Sequence, residues 1–301
     1  MHRAASSGKG EYVDRFDGSP FAGAIAPGDY VVAVEYGQLT REFPVKVERG
    51  KQTVLDLVLD AGYVTSDGSV AGAGKAEGVA WELFDAKGQW IATDYEAVPR
   101  FVLPAGEYVL RLTKGVSKTQ KAFSLTAGDS INVSVEIDVG KLVVGAVYAE
   151  GGPKVGDGIA VEVLHPSKTA GEKGEWVATL YDPSSQFDLP GGTYDVVVSV
   201  GAASRTSRVE VRSGTQTQVN INLEAGVAGI EAPGAYAIEI VGAERDINNE
   251  RKSMVHAYDQ KHNVALRAGN YVAIVEYDGG SKKEQPFSIA AGKRTDVKVA
   301  K

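Results

Sequence analysis

The sequence predicts an all-β protein made of tandem antiparallel β-sandwich modules in a row, three of them complete and an N-terminal one partial. A Gly-x-Tyr motif occurs four times at intervals of about 80 residues, which is the length of a small domain. Each copy opens a stretch in which every second residue is apolar, as on a strand with one buried face. No helical period of useful length interrupts this pattern. The four motif tyrosines are Tyr30, Tyr108, Tyr194 and Tyr271.

Composition and charge narrow the class of protein. An apolar share of 43% and a charged share of 24% are the values of a globular chain. The net charge of −7 opposes non-specific binding to nucleic acid, and the absence of cysteine excludes disulfides and thiolate metal sites. No apolar run reaches the roughly 18 residues of a membrane span. Residues 1–10 lack the apolar core of a signal peptide, so either the protein stays inside the cell or, as we expect, its export signal lies outside this chain.

Each complete module is predicted to hold about seven strands. The first strand is clearest in residues 141–148, where valine and leucine dominate. From Gly-x-Tyr onward, three consecutive strands are expected to pair antiparallel, because short turns separate three alternating stretches. Between the first strand and the motif lie two more strands, which carry Trp81, Val161 or Ile238 and then residues 90–95, 176–181 or 254–258.

The last strand of each module follows a glycine located about 20 residues after the motif tyrosine, at Gly50, Gly128, Gly214 and Gly292. In the first module its inward residues are predicted to be Leu55, Leu57 and Leu59. The resulting boundaries are 1–60, 61–138, 139–224 and 225–301. Joints of only about four residues, without a flexible spacer, predict a semi-rigid row of modules with the shape of a rod.

Two stretches depart from the regular pattern. Residues 63–78 contain four glycines, and because glycine weakens a strand, we expect a frayed first strand in the second module. This stretch lacks the Lys-Ser/Thr ending of a phosphate-binding loop. Residues 1–12 align with the middle of the third module, so the first module lacks about two strands. Either the chain is a fragment of a longer one, or a partner supplies the missing strand.

Gly-x-Tyr at the start of a late strand resembles the tyrosine corner of immunoglobulin-like sandwiches, in which the ring is buried and its hydroxyl binds the backbone. The wider pattern, apolar-x-Pro-x-Gly-x-Tyr-x-apolar-x-apolar, is similar to that of bacterial prealbumin-like modules of the carboxypeptidase-regulatory-like and Cna-B-like kinds. Such arrays also look like the repeats found beside von Willebrand A domains in extracytoplasmic proteins. The Cna-B resemblance implies a Lys–Asn isopeptide bond, with Lys141 and Asn220 or Asn222 as its partners. Val198 stands where that bond would need a glutamate, which argues against it.

Residues that could carry chemistry are few. The acidic residues Glu82, Glu162 and Glu239 are interpreted as the solvent face of a half-buried strand, with a shared acidic site as the alternative. His256 and His262 lack nearby carboxylates in metal-ligand spacing. The charged segment 244–252 occurs in the last module alone and is the first place to look for a distinctive contact surface. Trp81, Trp90 and Trp176 are predicted to be core residues, because sister modules carry apolar residues there, with sugar-stacking platforms as the alternative.

Three functions fit this sequence. The first is a non-enzymatic, extracytoplasmic spacer or adhesion-type scaffold, and the second is an array that binds carbohydrate or another cell-surface polymer. Exposed aromatic residues on one sandwich face would favour the second. The third is a filament subunit that accepts a strand from a neighbouring copy. No catalytic, cofactor-binding or metal-binding residue and no cofactor are predicted, because no nucleophile, base and orienting group recur together.

Overall fold

The structure, a computed structural model, describes residues 1–6, 8–169 and 171–300, and strands dominate these residues. No helix occurs among them, so none there could cross a membrane, and the prediction of an all-β fold is confirmed. Two compact units are distinguished. Unit 1 comprises Met1–Lys114 and Lys118–Ile137, and unit 2 comprises Gly115–Ser117 and Asp138–Lys301. The finer division into four modules stays a prediction.

Unit 1 contains three sheets. The first is four-stranded in the order β2-β1-β3-β4, the second is four-stranded in the order β11-β10-β7-β8, and in the third β5 lies between β12 and β6 and also pairs with β9. The strands are β1 His2–Ala5, β2 Gly8–Tyr12, β3 Gly28–Tyr36, β4 Leu39–Val47, β5 Ala61–Val70, β6 Gly74–Lys75, β7 Ala80–Asp85, β8 Trp90–Asp94, β9 Arg100–Pro104, β10 Gly106–Lys114, β11 Ser117–Leu125 and β12 Ser130–Ile137.

Unit 2 repeats one arrangement twice. A three-stranded sheet, β16-β13-β19 or β23-β20-β26, accompanies a four-stranded sheet, β15-β14-β17-β18 or β22-β21-β24-β25. The strands are β13 Gly140–Val147, β14 Ile159–Leu164, β15 Trp176–Leu180, β16 Ser185–Leu189, β17 Gly192–Val200, β18 Ala203–Val211, β19 Gln216–Asn222, β20 Ala225–Glu231, β21 Ala235–Arg245, β22 Arg251–Ala257, β23 Lys261–Arg267, β24 Gly269–Tyr277, β25 Lys282–Ile289 and β26 Arg294–Lys298.

The expected set of about seven strands is therefore present from the second repeat onward, but the pairing of the last strand was predicted wrongly. β10 and β11 form a hairpin, as do β17 and β18, whereas β12 and β19 leave that sheet and pair in parallel with β5 and β13. Alternation of apolar residues identifies a buried face and not the neighbouring strand, so both pairings fit the same sequence. Gly128 and Gly214 precede the strands that change sheet and adopt positive φ angles of 86° and 70°.

All four motif tyrosines are buried and form the expected corner. Each hydroxyl donates a hydrogen bond to the carbonyl oxygen four residues earlier, at distances of 2.7 to 2.9 Å. The acceptors belong to Ala26, Pro104, Pro190 and Arg267. A buried hydroxyl would be costly without such a partner, so the corner satisfies the polar end of a ring that otherwise fills the core.

The first strand of the second repeat is regular, contrary to the expectation of a frayed strand. β5 pairs with β12 from Tyr63 to Val70 without interruption. The glycine at position 68 makes room for a large neighbour, because an added Cβ would lie 3.2 Å from Trp81 Cζ2 and 3.1 Å from Leu112 Cδ2. Trp81 is fully buried. The loss of strand propensity at this glycine is thus offset by packing of the tryptophan.

The first repeat holds one sheet only. The strand predicted to carry Leu55, Leu57 and Leu59 does not form, and residues 51–60 have no regular structure. In later repeats this strand pairs with the first strand of the same repeat, and no counterpart of that first strand lies among the described residues here. Leu55, one of the residues predicted to face inward, is therefore 42% exposed.

Candidate functional surface: the exposed aromatic edge

Trp90 and Trp176 lie on the surface, 61% and 62% exposed, and the prediction that they belong to the core was wrong. Both occupy the first position of an edge strand, β8 in unit 1 and β15 in unit 2. Trp81 is the tryptophan that the sequence placed correctly. Single exposed apolar residues are common, but two in the same place in two repeats require a local cause.

A β-bulge is that cause. In unit 2, Ala178 lies opposite Val163 and Trp176 lies opposite Leu164, which leaves Val177 as an extra residue. Val177 and Ala178 both pack against the core. The tryptophan therefore points outward, where strict alternation would turn it inward. The second repeat has the same bulge between Trp90 and Ala92.

The bulge also brings a threonine to the side of each tryptophan. The indole N–H of Trp90 donates to Thr93 Oγ1 at 3.0 Å, and that of Trp176 donates to Thr179 Oγ1 at 2.9 Å. Because this bond uses the only polar group of the indole, the ring is oriented and its apolar faces remain available.

Two of the acidic residues that the sequence singled out lie on the strands that pair with β8 and β15. Glu82 is opposite Thr93, and Glu162 is opposite Thr179. Each carboxylate already has a partner: Glu82 accepts from Thr113 Oγ1 at 3.3 Å, and Glu162 binds Lys173 Nζ at 2.9 Å. The outward face of each sheet thus combines an aromatic ring, a hydroxyl and a carboxylate at matching register positions.

A second exposed aromatic residue follows each of these strands. Tyr95 and Tyr181 are 77% and 78% exposed. In the fourth repeat the corresponding residue is Tyr258, which is 70% exposed and forms edge-to-face contacts with the rings of Tyr236 and His256. Each of these three repeats thus carries an exposed aromatic residue at this position.

The fourth repeat departs from the tryptophan pattern. Ser253 and His256 stand at the positions of the tryptophan and the threonine, and Ser253 Oγ donates to Glu239 Oε1 at 2.6 Å. Within the described residues, no group of three or more histidine or acidic side chains could hold a metal ion. The histidines that the sequence singled out, His256 and His262, lie on different strands, β22 and β23.

The opposite edge of the same sheets is charged. β18 carries Arg205 and Arg208, and β11 carries Lys118 and Lys121. Arg208 donates two hydrogen bonds to Asp195, at 2.8 and 3.0 Å, and these lower the pKa of that carboxyl. Charges on an edge strand discourage pairing with another chain, so the two edges of each sheet differ in chemical character.

The remaining sequence candidates have structural positions. Lys141 forms an ion pair with Asp188 at 3.7 Å and is paired with Gln216 in the strand register, four residues before Asn220. Asn222 Oδ1 accepts the N–H of Glu224 at 2.9 Å. In segment 244–252, the carboxylate of Asp246 accepts two backbone N–H groups of a tight turn between β21 and β22.

Comparison with known proteins supports the repeat character of the chain. Residues 69–137 match a family model described as the Rhizobiales growth-associated tandem repeat domain. The prediction of tandem repeats is thereby confirmed, whereas adjacency to von Willebrand A domains stays a prediction. None of the curated proteins matches the sequence.

Several solved structures are similar to parts of this chain. The Bacillus anthracis TIE protein is 12% identical, with 91% of this chain and 57% of that chain covered and a TM-score of 0.24. The Streptococcal ancillary pilin is 12% identical, with 80% and 99% covered and a TM-score of 0.30. GBS52, the minor pilin of Streptococcus agalactiae, is 14% identical, with 54% and 94% covered and a TM-score of 0.27. The chain thus spans 57% of the length of the first of these proteins. At such identities and TM-scores the likeness carries no information about activity or partners.

Proposed function

We propose that this chain is a non-enzymatic scaffold of β-sandwich repeats that acts outside the cytoplasm and holds other parts of a cell-surface assembly in fixed order. The observation that carries the proposal is a joint that recurs between repeats. Asp60 and Glu224, the joint residues, adopt left-handed φ angles of 47° and 49°. A non-glycine residue keeps this conformation when its surroundings impose it.

Backbone hydrogen bonds impose it here. Within unit 1 the carbonyl oxygen of Asp60 accepts the N–H of Ala105 at 3.1 Å, and within unit 2 that of Glu224 accepts the N–H of Ala268 at 2.7 Å. Glu224 also forms ion pairs with Arg205 at 2.7 Å and Arg267 at 3.3 Å. Each joint is therefore tied to the residue that precedes the next Gly-x-Tyr motif.

A hairpin turn supplies a second tie in each unit. In unit 1, Gln38 Oε1 accepts the N–H of Val102 at 3.0 Å, and in unit 2 the N–H of Ala202 donates to Ala265 O at 3.0 Å. Two ties at a joint resist bending better than one. Such joints are typical of a rigid spacer and not of a flexible linker.

The matched family description, growth-associated, fits a scaffold that works where a bacterial envelope is being built. The proposed scaffold lies at the cell surface and catalyses no reaction. Protein partners are expected, since a scaffold acts by holding them.

Backbone relaxation measured by NMR on the full chain tests the proposal. We expect order parameters at Asp60 and Glu224 equal to those of the strands that follow them, β5 and β20, roughly 0.85 for a rigid backbone. Values below about 0.6 at these joints would show flexible linkers and contradict a positional scaffold.

Assembly by strand complementation is a second candidate, favoured by the 42% exposure of Leu55, which would face inward if residues 53–59 formed a strand. A strand from another copy beside residues 53–59 would let them form that strand and bury its inward side chains. Light scattering of the full chain over a wide concentration range tests it, with a Leu57→Asp variant as the comparison. A monomer at every concentration contradicts this candidate and leaves the scaffold proposal intact.

A further inference from the structure

We propose that the outward sheet faces beside Trp90 and Trp176 each bind a neutral polysaccharide through stacking of a sugar ring on the indole. This goes beyond a scaffold, because it assigns a ligand class to a surface that the joints do not use. The two sites are equivalent copies, one in the second repeat and one in the third.

The indole rings of Trp90 and Trp176 are held in place before any ligand binds. The bond from each indole N–H to Thr93 or Thr179 fixes the ring while its faces stay in solvent. A fixed, exposed aromatic ring loses little conformational entropy when a ligand stacks on it. The C–H face of a pyranose offers the flat, weakly apolar surface that such a ring accepts.

Polar groups that could bind sugar hydroxyls lie beside each ring. Sugar hydroxyls both donate and accept hydrogen bonds, so a sugar site needs acceptors and donors next to the stacking surface. Glu82 and Glu162 supply carboxylate acceptors, and Lys173 supplies a donor beside Glu162. In the second repeat a shallow depression lined by Phe84, Arg111 and Gln120, among others, begins opposite Trp90 in the strand register.

The charge of the protein favours a neutral ligand. The chain carries a net charge of −7, and a carboxylate lies across from each Trp–Thr pair. The net charge of the protein repels an anionic polysaccharide. The two carboxylates add no local repulsion, because Arg111 lies 3.8 Å from Glu82 and Lys173 lies 2.9 Å from Glu162. A neutral glycan avoids this repulsion.

The edge that carries the tryptophans is poorly suited to pairing with an added strand. The bulges beside Trp90 and Trp176 interrupt the regular spacing of backbone groups, and β8 and β15 have five residues each. A short, bulged edge is a poor template for another strand. The exposed rings therefore act as side-chain platforms and not as part of a backbone ladder.

Calorimetric titration of the full chain with cellohexaose and with chitohexaose tests the proposal, with tryptophan fluorescence recorded in parallel. We expect saturable binding of at least one oligosaccharide and a blue shift of the emission. In a Trp90→Ala/Trp176→Ala double variant we expect binding to weaken at least about tenfold. Tyr63→Ala is the matched control, because Tyr63 is a 52% exposed aromatic residue on another sheet, and its affinity should not change.

A second pair of variants tests the positioning role of the threonines. Thr93→Val with Thr179→Val keeps both rings and removes their hydrogen-bond acceptors. We expect a several-fold loss of affinity with an unchanged melting temperature, because the rings are released and the fold is not. Absence of binding of both oligosaccharides would overturn the proposal, as would equal affinity in the wild type and the double tryptophan variant. If the tryptophan substitutions instead abolish self-association seen by light scattering without any glycan binding, the surface is a protein interface and the proposal is wrong.

Discussion

At the scale of single residues, each corner tyrosine makes the same hydrogen bond to a backbone carbonyl oxygen, and we expect each bond to stabilise its repeat. Replacing Tyr194 by phenylalanine keeps the buried ring and removes the donor to Pro190 O, which accepts at 2.9 Å. We expect the free energy of unfolding to fall by about 0.5–1.5 kcal/mol, the net contribution of one hydrogen bond. Urea unfolding measures it. Tyr181→Phe, at a 78% exposed site, is the control and should change nothing.

The same tyrosines predict sensitivity to alkali. Burial raises the pKa of Tyr108, Tyr194 and Tyr271 above the ordinary value of 10.0. Because the folded-state pKa lies above the unfolded one, their contribution is complete below about pH 10 and is lost as the pH rises through the raised values. Unfolding free energies measured between about pH 8 and 11 should therefore decrease at the upper end. A Tyr194→Phe variant should show a smaller decrease, and an identical pH dependence in both proteins would contradict this assignment.

Gly68 and Trp81 make a residue-scale pair that can be tested by a double-mutant cycle. An added Cβ at Gly68 would lie 3.2 Å from the Trp81 ring, closer than it can rest without a shift of the ring. We expect Gly68→Ala to destabilise the wild type by about 1–3 kcal/mol through overpacking. In a Trp81→Val background the third repeat's combination, Ala146 with Val161, is reproduced. The same substitution should cost clearly less there, with a remainder from Leu112 Cδ2, which lies 3.1 Å from the added Cβ. Equal costs in both backgrounds, measured by urea unfolding, would mean that the two residues are not coupled.

At the scale of elements, the sequence predicted which stretches form strands better than it predicted their neighbours. The corner hydrogen bonds and the strands around them followed from Gly-x-Tyr and alternation. The parallel pairing of β12 with β5 did not, because alternation is the same for either neighbour. Residues 53–59 alternate like β12 and still form no strand, since a strand needs a partner that the local sequence does not specify.

The candidate surface was the part least accessible to sequence reasoning. The core assignment of Trp90 and Trp176 rests on apolar residues at the same position of other repeats. The strand register instead places Ser253 there in the fourth repeat, and a bulge of one residue turns both tryptophans outward. A usable signal was present in the spacing, because a threonine follows each tryptophan by three residues in both repeats. That spacing fits a side-chain hydrogen bond on one face and does not fit strict alternation.

At the scale of the whole molecule, the question is whether repeats in a unit stabilise each other. Within unit 2 the turn at Gly201 lies against the fourth repeat, and an added Cβ there would lie 2.9 Å from Ala265 N. Gly201 has a φ angle of 54°, so an alanine introduces both backbone strain and a clash. Repeat arrays gain much of their stability from such nearest-neighbour contacts.

We therefore expect Gly201→Ala to weaken the fourth repeat, although the substitution lies in the third. Amide hydrogen exchange should rise in Lys261–Arg267, the strand that the turn contacts. The matched control is Gly279→Ala at the equivalent turn of the fourth repeat, where φ is 89° and an added Cβ meets no atom within 4 Å. Both substitutions strain the backbone, but only the first disturbs a neighbouring repeat. If both variants raise exchange in Lys261–Arg267 equally, the effect is local strain and the repeats of unit 2 are energetically independent.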